Sequence, residues 1–276
     1  MSENDAAARN ATSNAVGDDD SNVVPPGMIR NHLGLIENLI MTEIDWEKRW
    51  RKGKDAAWQM GTVHPMLQKY YDSMVRGRNN CRVLVPLCGR TLDLQWLVEK
   101  GHTVVGVEFV EIGVVRFFAE NHLEYVVEPP SPTLPGKAKI YSSCEGRLKI
   151  VNADFFALSR DVLGTFDCVW DRGALAATNP SNYSRYFRVI NDVLDDSGVW
   201  MLDSFDFTNP DFHGPPFRFN AKSIEDSLGS NYDIRQLDYF PNLAEKFKKW
   251  GLGNFYEMVH ILTKKRGSGD SAHPLP

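Results

Sequence analysis

The chain has 276 residues, 42% hydrophobic and 24% charged, enough for one large α/β core or two small ones. Its formal charge of −5 and pI near 5.8, with no basic stripe along any helical pattern, argue against nucleic acid as a main partner. No apolar run approaches the ~18 residues of a membrane span.

Residues 1–27 are rich in Ala, Asn and Asp, and GDDDSN (17–22) reads as a solvated charge run. They lack the basic start and apolar stretch of a signal peptide and are expected to form a disordered acidic lead-in. A single domain is expected over 28–266, followed by a disordered tail, 267–276. DWEKRWRKGKDAAWQM (45–60) reads as a helix, with Trp46 and Trp50 on one face. It is expected either to cap the core or to act as a flap over a ligand.

From Arg82 the chain alternates strand and helix patterns, the mark of a parallel sheet with crossover helices. RVLVPL (82–87) is a strand buried on both faces, followed by a helix over 91–101 that stops at Gly101. HTVVGVEF (102–109) is the second strand and IGVVRFFAEN (112–121) the second helix. The Pro-, Ser- and Gly-rich stretch 129–146 is expected as an inserted loop with one short strand at 139–142. Residues 147–156 form the third strand, 165–170 the fourth, 182–194 a helix and 198–205 the fifth strand. Residues 232–240 and 254–265 are two more strands, a closing hairpin. The four cysteines, Cys81, Cys88, Cys144 and Cys168, form no Cys-x-x-Cys pair. They are expected to be reduced thiols of a cytosolic protein, with no metal site.

Open parallel sheets bind ligands outside the carboxyl ends of their strands. Gly89 stands after the first strand, and Glu108, 19 residues further on, can accept from two ribose hydroxyls. Asp154 follows the third strand, placed for an adenine amino group, and Asp171–Arg172–Gly173 follows the fourth. In order, these positions point to an adenosine-containing ligand. The loop around Gly89 lacks the Gly-x-Gly-x-x-Gly of a dinucleotide site, so an NAD-dependent oxidoreductase is disfavoured and S-adenosylmethionine fits better.

RVLVPLCGRTLDLQWLVEKGHTVVGVEFVEIGV, FDCVWDRGAL, HGPPF and the amino-terminal W-x-x-x-W-x-x-G-K together resemble the thiopurine S-methyltransferase family over roughly Asp45 to Lys265. The resemblance implies a class I methyltransferase (Rossmann-like) fold, with a mostly parallel seven-stranded sheet, helices on both faces and an antiparallel last strand. It implies a monomer that moves a methyl group from S-adenosylmethionine to small aromatic or heterocyclic thiols, leaving S-adenosylhomocysteine. Carried across, the cofactor should touch Trp46, Trp50, Leu87 and Gly89, with Glu108 on the ribose, Ala153 and Asp154 flanking the adenine, and Arg172 beside the sulfonium and the acceptor.

Two positions depart from the family pattern. Ala57 followed by Trp58 stands where an aromatic acceptor contact is expected, and Lys246 in KFKKWG replaces a second arginine. A guanidinium lowers a thiol's pKa, so Arg172 is expected to stabilise the thiolate with Lys246 in support. Asp171 is expected to orient Arg172 or the cofactor. The stretch 205–217, stiffened by Pro215–Pro216, and the tryptophan-rich segment are the expected lids. His213 reads as a loop residue, and Tyr183 and Tyr186 as surface or core positions. The alternatives are a halide, thiocyanate or selenium methyltransferase of the same superfamily, and a cofactor-binding pseudo-enzyme.

Overall fold

The alternation that begins at Arg82 folds into one mixed sheet with helices on both faces. The computed structural model describes residues 24–31, 34, 36–52, 58–209, 212–242 and 244–266, without the side chain of Lys246. The lead-in up to residue 23, the tail 267–276 and Ala57 therefore lie outside the described residues. In chain order the elements are β1 (Met28–Arg30), β2 (Ile36–Asn38), α1 (Glu43–Lys52), α2 (Pro65–Val75), β3 (Arg82–Val85), α3 (Asp93–Glu99), β4 (Thr103–Glu108), α4 (Glu111–Glu120), β5 (Tyr125–Val127) and β6 (Lys139–Ser143). They continue as β7 (Leu148–Asn152), α5 (Arg160–Leu163), β8 (Phe166–Arg172), α6 (Ala174–Ala177), α7 (Tyr183–Val193), β9 (Leu194–Asp206), α8 (Ala221–Leu228), β10 (Tyr232–Pro241), α9 (Glu245–Lys249) and β11 (Tyr256–Lys264).

The large sheet has the order β10-β11-β9-β8-β3-β4-β7-β6-β5. Its first seven strands are those expected, and β11 alone among them runs antiparallel to its neighbours. The insertion adds β6, the short strand expected at 139–142, antiparallel to β7, and β5, just before the insertion, pairs antiparallel with β6. Strand order reverses beside β3, with β4 on one side and β8 on the other, so the carboxyl ends of these strands open the crevice expected in such sheets.

Both faces of the sheet are covered by apolar layers. On one, α7 contributes Tyr186, Val189, Ile190 and Val193, spaced three and four apart, against Val169, Trp200 and Leu202. On the other, α2, α3 and α4 pack Leu67, Met74, Leu97, Phe117 and Phe118 over Val83, Val104 and Trp170. Each such side chain contributes about 1.5–3 kcal/mol relative to exposure.

The sequence reading needs correction in three places. The amino-terminal helix covers Glu43–Lys52, and Trp58 lies in a turn beyond it. The antiparallel pair β1–β2 precedes that helix. The helix α2, starting on Pro65 with Leu67, Met74 and Val75 buried, bridges to β3.

Candidate active site

A cleft opens over the carboxyl ends of β3, β4, β7 and β8. It is lined by Trp46, Trp50, Trp58, Leu87, Gly89, Glu108, Ala153, Asp154 and Arg172, which the sequence had singled out. The loop after β3 has left-handed backbone at its floor: Leu87, strained at φ +43°, and Gly89 at φ +56°, which only glycine adopts freely. A Cβ at Gly89 would lie 2.1 Å from Gln59 Nε2, so a side chain there would push the Gln59 amide aside and adopt an unfavourable positive φ. Gln59 itself lines the cleft and was missed by the sequence reading, there being no motif to mark it.

Glu108 ends β4 and braces this floor. Its Oε2 accepts from the Gly89 N–H at 2.9 Å and its Oε1 from the Val110 N–H at 2.8 Å. Burial nevertheless raises its pKa to about 7, against the lowering effect of these bonds. Asp154 lines the cleft and caps the short turn Phe155–Ala157, its Oδ1 accepting from the Phe156 N–H at 2.9 Å.

The helix α1 rests on buried polar contacts and on rings. Arg49 of α1 makes a two-point ion pair with Glu37 of β2, at 2.6 and 2.7 Å, both side chains buried. Trp58 meets Trp46 and Trp50 edge-on, with centroids 6.0 and 5.6 Å apart. Trp50 packs so closely on α4 that a Cβ at Gly113 would stand 2.9 Å from its ring, and Arg116 Nη1 donates to the Trp50 carbonyl.

Asp171 and Arg172 are neighbours on β8 and so face opposite sides of the sheet. Arg172 lines the cleft; its Nη1 donates to the Trp58 carbonyl at 2.8 Å and its buried Nε has no partner among the described residues. Asp171 points the other way. It accepts from Tyr186 Oη at 2.7 Å, Trp200 Nε1 at 3.3 Å and the Leu175 N–H at 3.2 Å. The expected role of Asp171 in orienting Arg172 or the cofactor is therefore corrected: it ties β8 to α7, β9 and α6, and Tyr186 is a core partner. Burial lifts the Asp171 pKa to about 6 despite those bonds.

The outer wall is aromatic. Phe205, Phe217, Phe247 and Trp250 line the cleft with Pro215 and Pro216, in a loop with cis peptides at Gly214–Pro215 and Pro215–Pro216. Phe247 stacks on Phe255 with centroids 3.8 Å apart. The expected lid 205–217 thus contributes its two ends, while His213 is exposed. Lys246 lies in α9 next to Phe247, and the backbone is all that is described of it. The four cysteines are unpaired, three of them buried.

The sheet order, the crevice at its reversal and a single-glycine loop over an acid-tipped second strand define a class I methyltransferase. Solved structures agree on the fold. One is the 1,6-didemethyltoxoflavin-N1-methyltransferase of Burkholderia thailandensis, with TM-score 0.53, 18% identity, and 80% of this chain and 87% of that one covered. Another is phosphoethanolamine N-methyltransferase 2 of Haemonchus contortus, with TM-score 0.53, 12% identity and coverage of 82% and 58%. The family model of thiopurine S-methyltransferase matches residues 41–265. Relatives include the thiopurine S-methyltransferase of Rattus norvegicus, 34% identical over 83% of this chain and 94% of its own length. The probable thiopurine S-methyltransferase of Danio rerio is 34% identical over 82% and 96%. The chain belongs to the thiopurine S-methyltransferase family, and it is an S-adenosylmethionine-dependent methyltransferase.

Proposed function

We propose that the chain methylates the sulfur of small aromatic and heterocyclic thiols of the thiopurine kind. One observation carries this reading: Arg172 presents a half-buried guanidinium at the cleft wall, its Nε buried and without a partner among the described residues. A group so placed favours an anion, and a thiolate is the anion a methyl donor requires.

The donor set fits S-adenosylmethionine. No phosphate cradle follows β3, whose loop to α3 holds Gly89 as its single glycine. Glu108 is an acceptor at the cleft wall, whose ionised form would take ribose hydroxyls, and Asp154 bonds the Phe156 N–H through one oxygen and would offer the other to an amino group. Trp46, Trp50, Leu87 and Ala153 supply apolar walls. Bound there, the cofactor would supply a methyl group on a positively charged sulfur.

The chain's own groups do the rest. Arg172 holds the thiolate and lowers the thiol's pKa, each unit being worth about 1.4 kcal/mol. Lys246, beside the cleft residue Phe247, assists. The three tryptophans and the Pro215–Phe217 segment keep water from a reaction that destroys charge, and Trp58 with Ala57 helps shape the acceptor side. We further infer one domain over 28–266, monomeric and cytosolic. The unpaired thiols support the compartment, and sedimentation would test the monomer. Among the described residues no helix is long and apolar enough to cross a membrane.

The test is methyl transfer from labelled S-adenosylmethionine to a panel holding a thiopurine, thiophenols, an alkyl thiol, selenite and iodide. Labelled aryl thioether is expected. Methylation of iodide or selenite in place of aryl thiols would move the chain to the halide or selenium branch. Binding of S-adenosylhomocysteine without any transfer would make it a pseudo-enzyme.

A further inference from the structure

Behind Arg172 lies a second group of charges that the cleft does not use. Arg172 pairs in register with Asp203 of β9, and Asp203 with Val259 of β11. Glu257 stands two residues from Val259, on the same face of the sheet. A cation and two acids therefore form a row across three adjacent strands. His64, at the start of α2, sits over it: Nε2 lies 3.5 Å from Asp203 Oδ2 and 3.6 Å from Glu257 Oε1, both long for hydrogen bonds.

His64, Asp203 and Glu257 are buried, Asp203 completely, and neither Asp203 oxygen has a donor among the described residues. Two ionised carboxylates this close in a dry interior repel each other strongly, and an unpaired buried charge is costly. We propose that Asp203 and Glu257 share one proton, and that the single negative charge left on the pair sits behind Arg172 and sets how strongly that guanidinium holds a thiolate.

The surroundings agree. Burial, then the neighbouring carboxylate, raise Asp203 well above the usual range, with Arg172 opposing; burial also raises Glu257. Burial and the positive Arg172 lower His64 to about 3, so it is neutral and no counter-ion. Asn242 donates to Glu257 Oε2, which leaves Oε1 for the shared proton. The other charges felt by the pair are Asp93, Asp171 and Asp238; the last is held by Lys69. A divalent cation is the competing occupant, since the donor atoms lie within 4.8 Å of one another. Two features oppose it: His64 Nδ1 lacks the acceptor that orients a ligating imidazole, and a guanidinium stands alongside.

The tuning role rests on Arg172 being the thiolate's partner; the shared proton does not. Infrared spectroscopy of the full chain with S-adenosylhomocysteine tests the proton. It should be run at mildly alkaline pH, above Glu108 at about 7 and Asp171 at about 6. A protonated-carboxyl band is expected in the wild type and is lost in both Asp203→Asn and Glu257→Gln, because a lone carboxylate beside Arg172 ionises. Absence of the band in the wild type, or its persistence in Glu257→Gln, would overturn the sharing. So would a stoichiometric divalent metal that disappears in Asp203→Asn.

The tuning is read from the pH profile of kcat/KM with a weakly acidic thiol. Removing the counter-charge in the Asp203→Asn, Glu257→Gln double variant should move the ionisation limb to lower pH, raising the rate on that limb by about tenfold, the order of one charge at an effective dielectric near 20. Unchanged S-adenosylhomocysteine affinity by calorimetry checks folding. An unmoved limb with that affinity intact would overturn the tuning. No transfer to any thiol by the wild type would remove the proposed function and the tuning together, while the infrared band still decides the proton.

Discussion

Asp171 and Arg172 read as one charged pair in the sequence and act as two separate groups in the fold. Strand alternation sends the acid into a bonded core position and the base into the cleft. Asp171→Ala strips an acceptor from Tyr186, Trp200 and the Leu175 N–H, and is expected to cost about 2–4 kcal/mol by denaturant unfolding. Asp171→Asn should cost less, since its amide oxygen still accepts.

Glu108 carries a pH signature. Its pKa rises from 4.5 to about 7 on folding. The folded chain thus binds more protons than the unfolded chain between those values, so its contribution to stability falls as pH rises through that window. Ribose hydroxyls donate to the ionised form, so cofactor binding near pH 6 should release protons, read by calorimetry in buffers of different ionisation enthalpy. Glu108→Gln should weaken S-adenosylhomocysteine binding by roughly ten- to hundredfold, the size of a hydrogen bond to charge, and remove this pH dependence of stability.

At the scale of elements, the sheet was legible wherever period and punctuation agreed. The first helix was drawn over 45–60 with Trp46 and Trp50 on one face, whereas it ends at Lys52 and Trp58 packs edge-on against the other two rings from outside it. The strand β5 went unread because three exposed residues have no buried face to betray a pattern. The row Arg172–Asp203–Glu257 could not be read at all, for it exists through the register of β8, β9 and β11. The flap's anchor is the buried Arg49–Glu37 pair. Glu37→Ala leaves a buried guanidinium unpaired and should cost about 3–5 kcal/mol locally, seen as faster amide exchange in α1 and weaker cofactor binding with β3–β9 still protected. Gly113→Ala, crowding the Trp50 ring, should weaken cofactor binding several-fold in the same way, and unchanged affinity in both variants would contradict a flap role.

Across the whole molecule, the strand-end positions proposed for the cofactor lie on neighbouring parallel strands, which is why their order along the chain was informative. Leu87 and Gly89 follow β3, Glu108 ends β4, Ala153 and Asp154 follow β7, and Arg172 ends β8. The outer wall of the cleft is assembled differently, from Phe205, Phe217, Phe247 and Trp250 on distant segments. No spacing announces such a wall, so the reaction class was readable and the pocket was not.

The most direct test of the account is the dependence of kcat/KM on thiol acidity, for wild type and Arg172→Ala, with S-adenosylhomocysteine affinity measured alongside. The account predicts a loss of roughly ten- to hundredfold for weakly acidic thiols, shrinking for thiols already ionised, with cofactor affinity changed far less. An equal loss for every thiol, or none at sub-saturating thiol, would contradict a guanidinium that stabilises the thiolate.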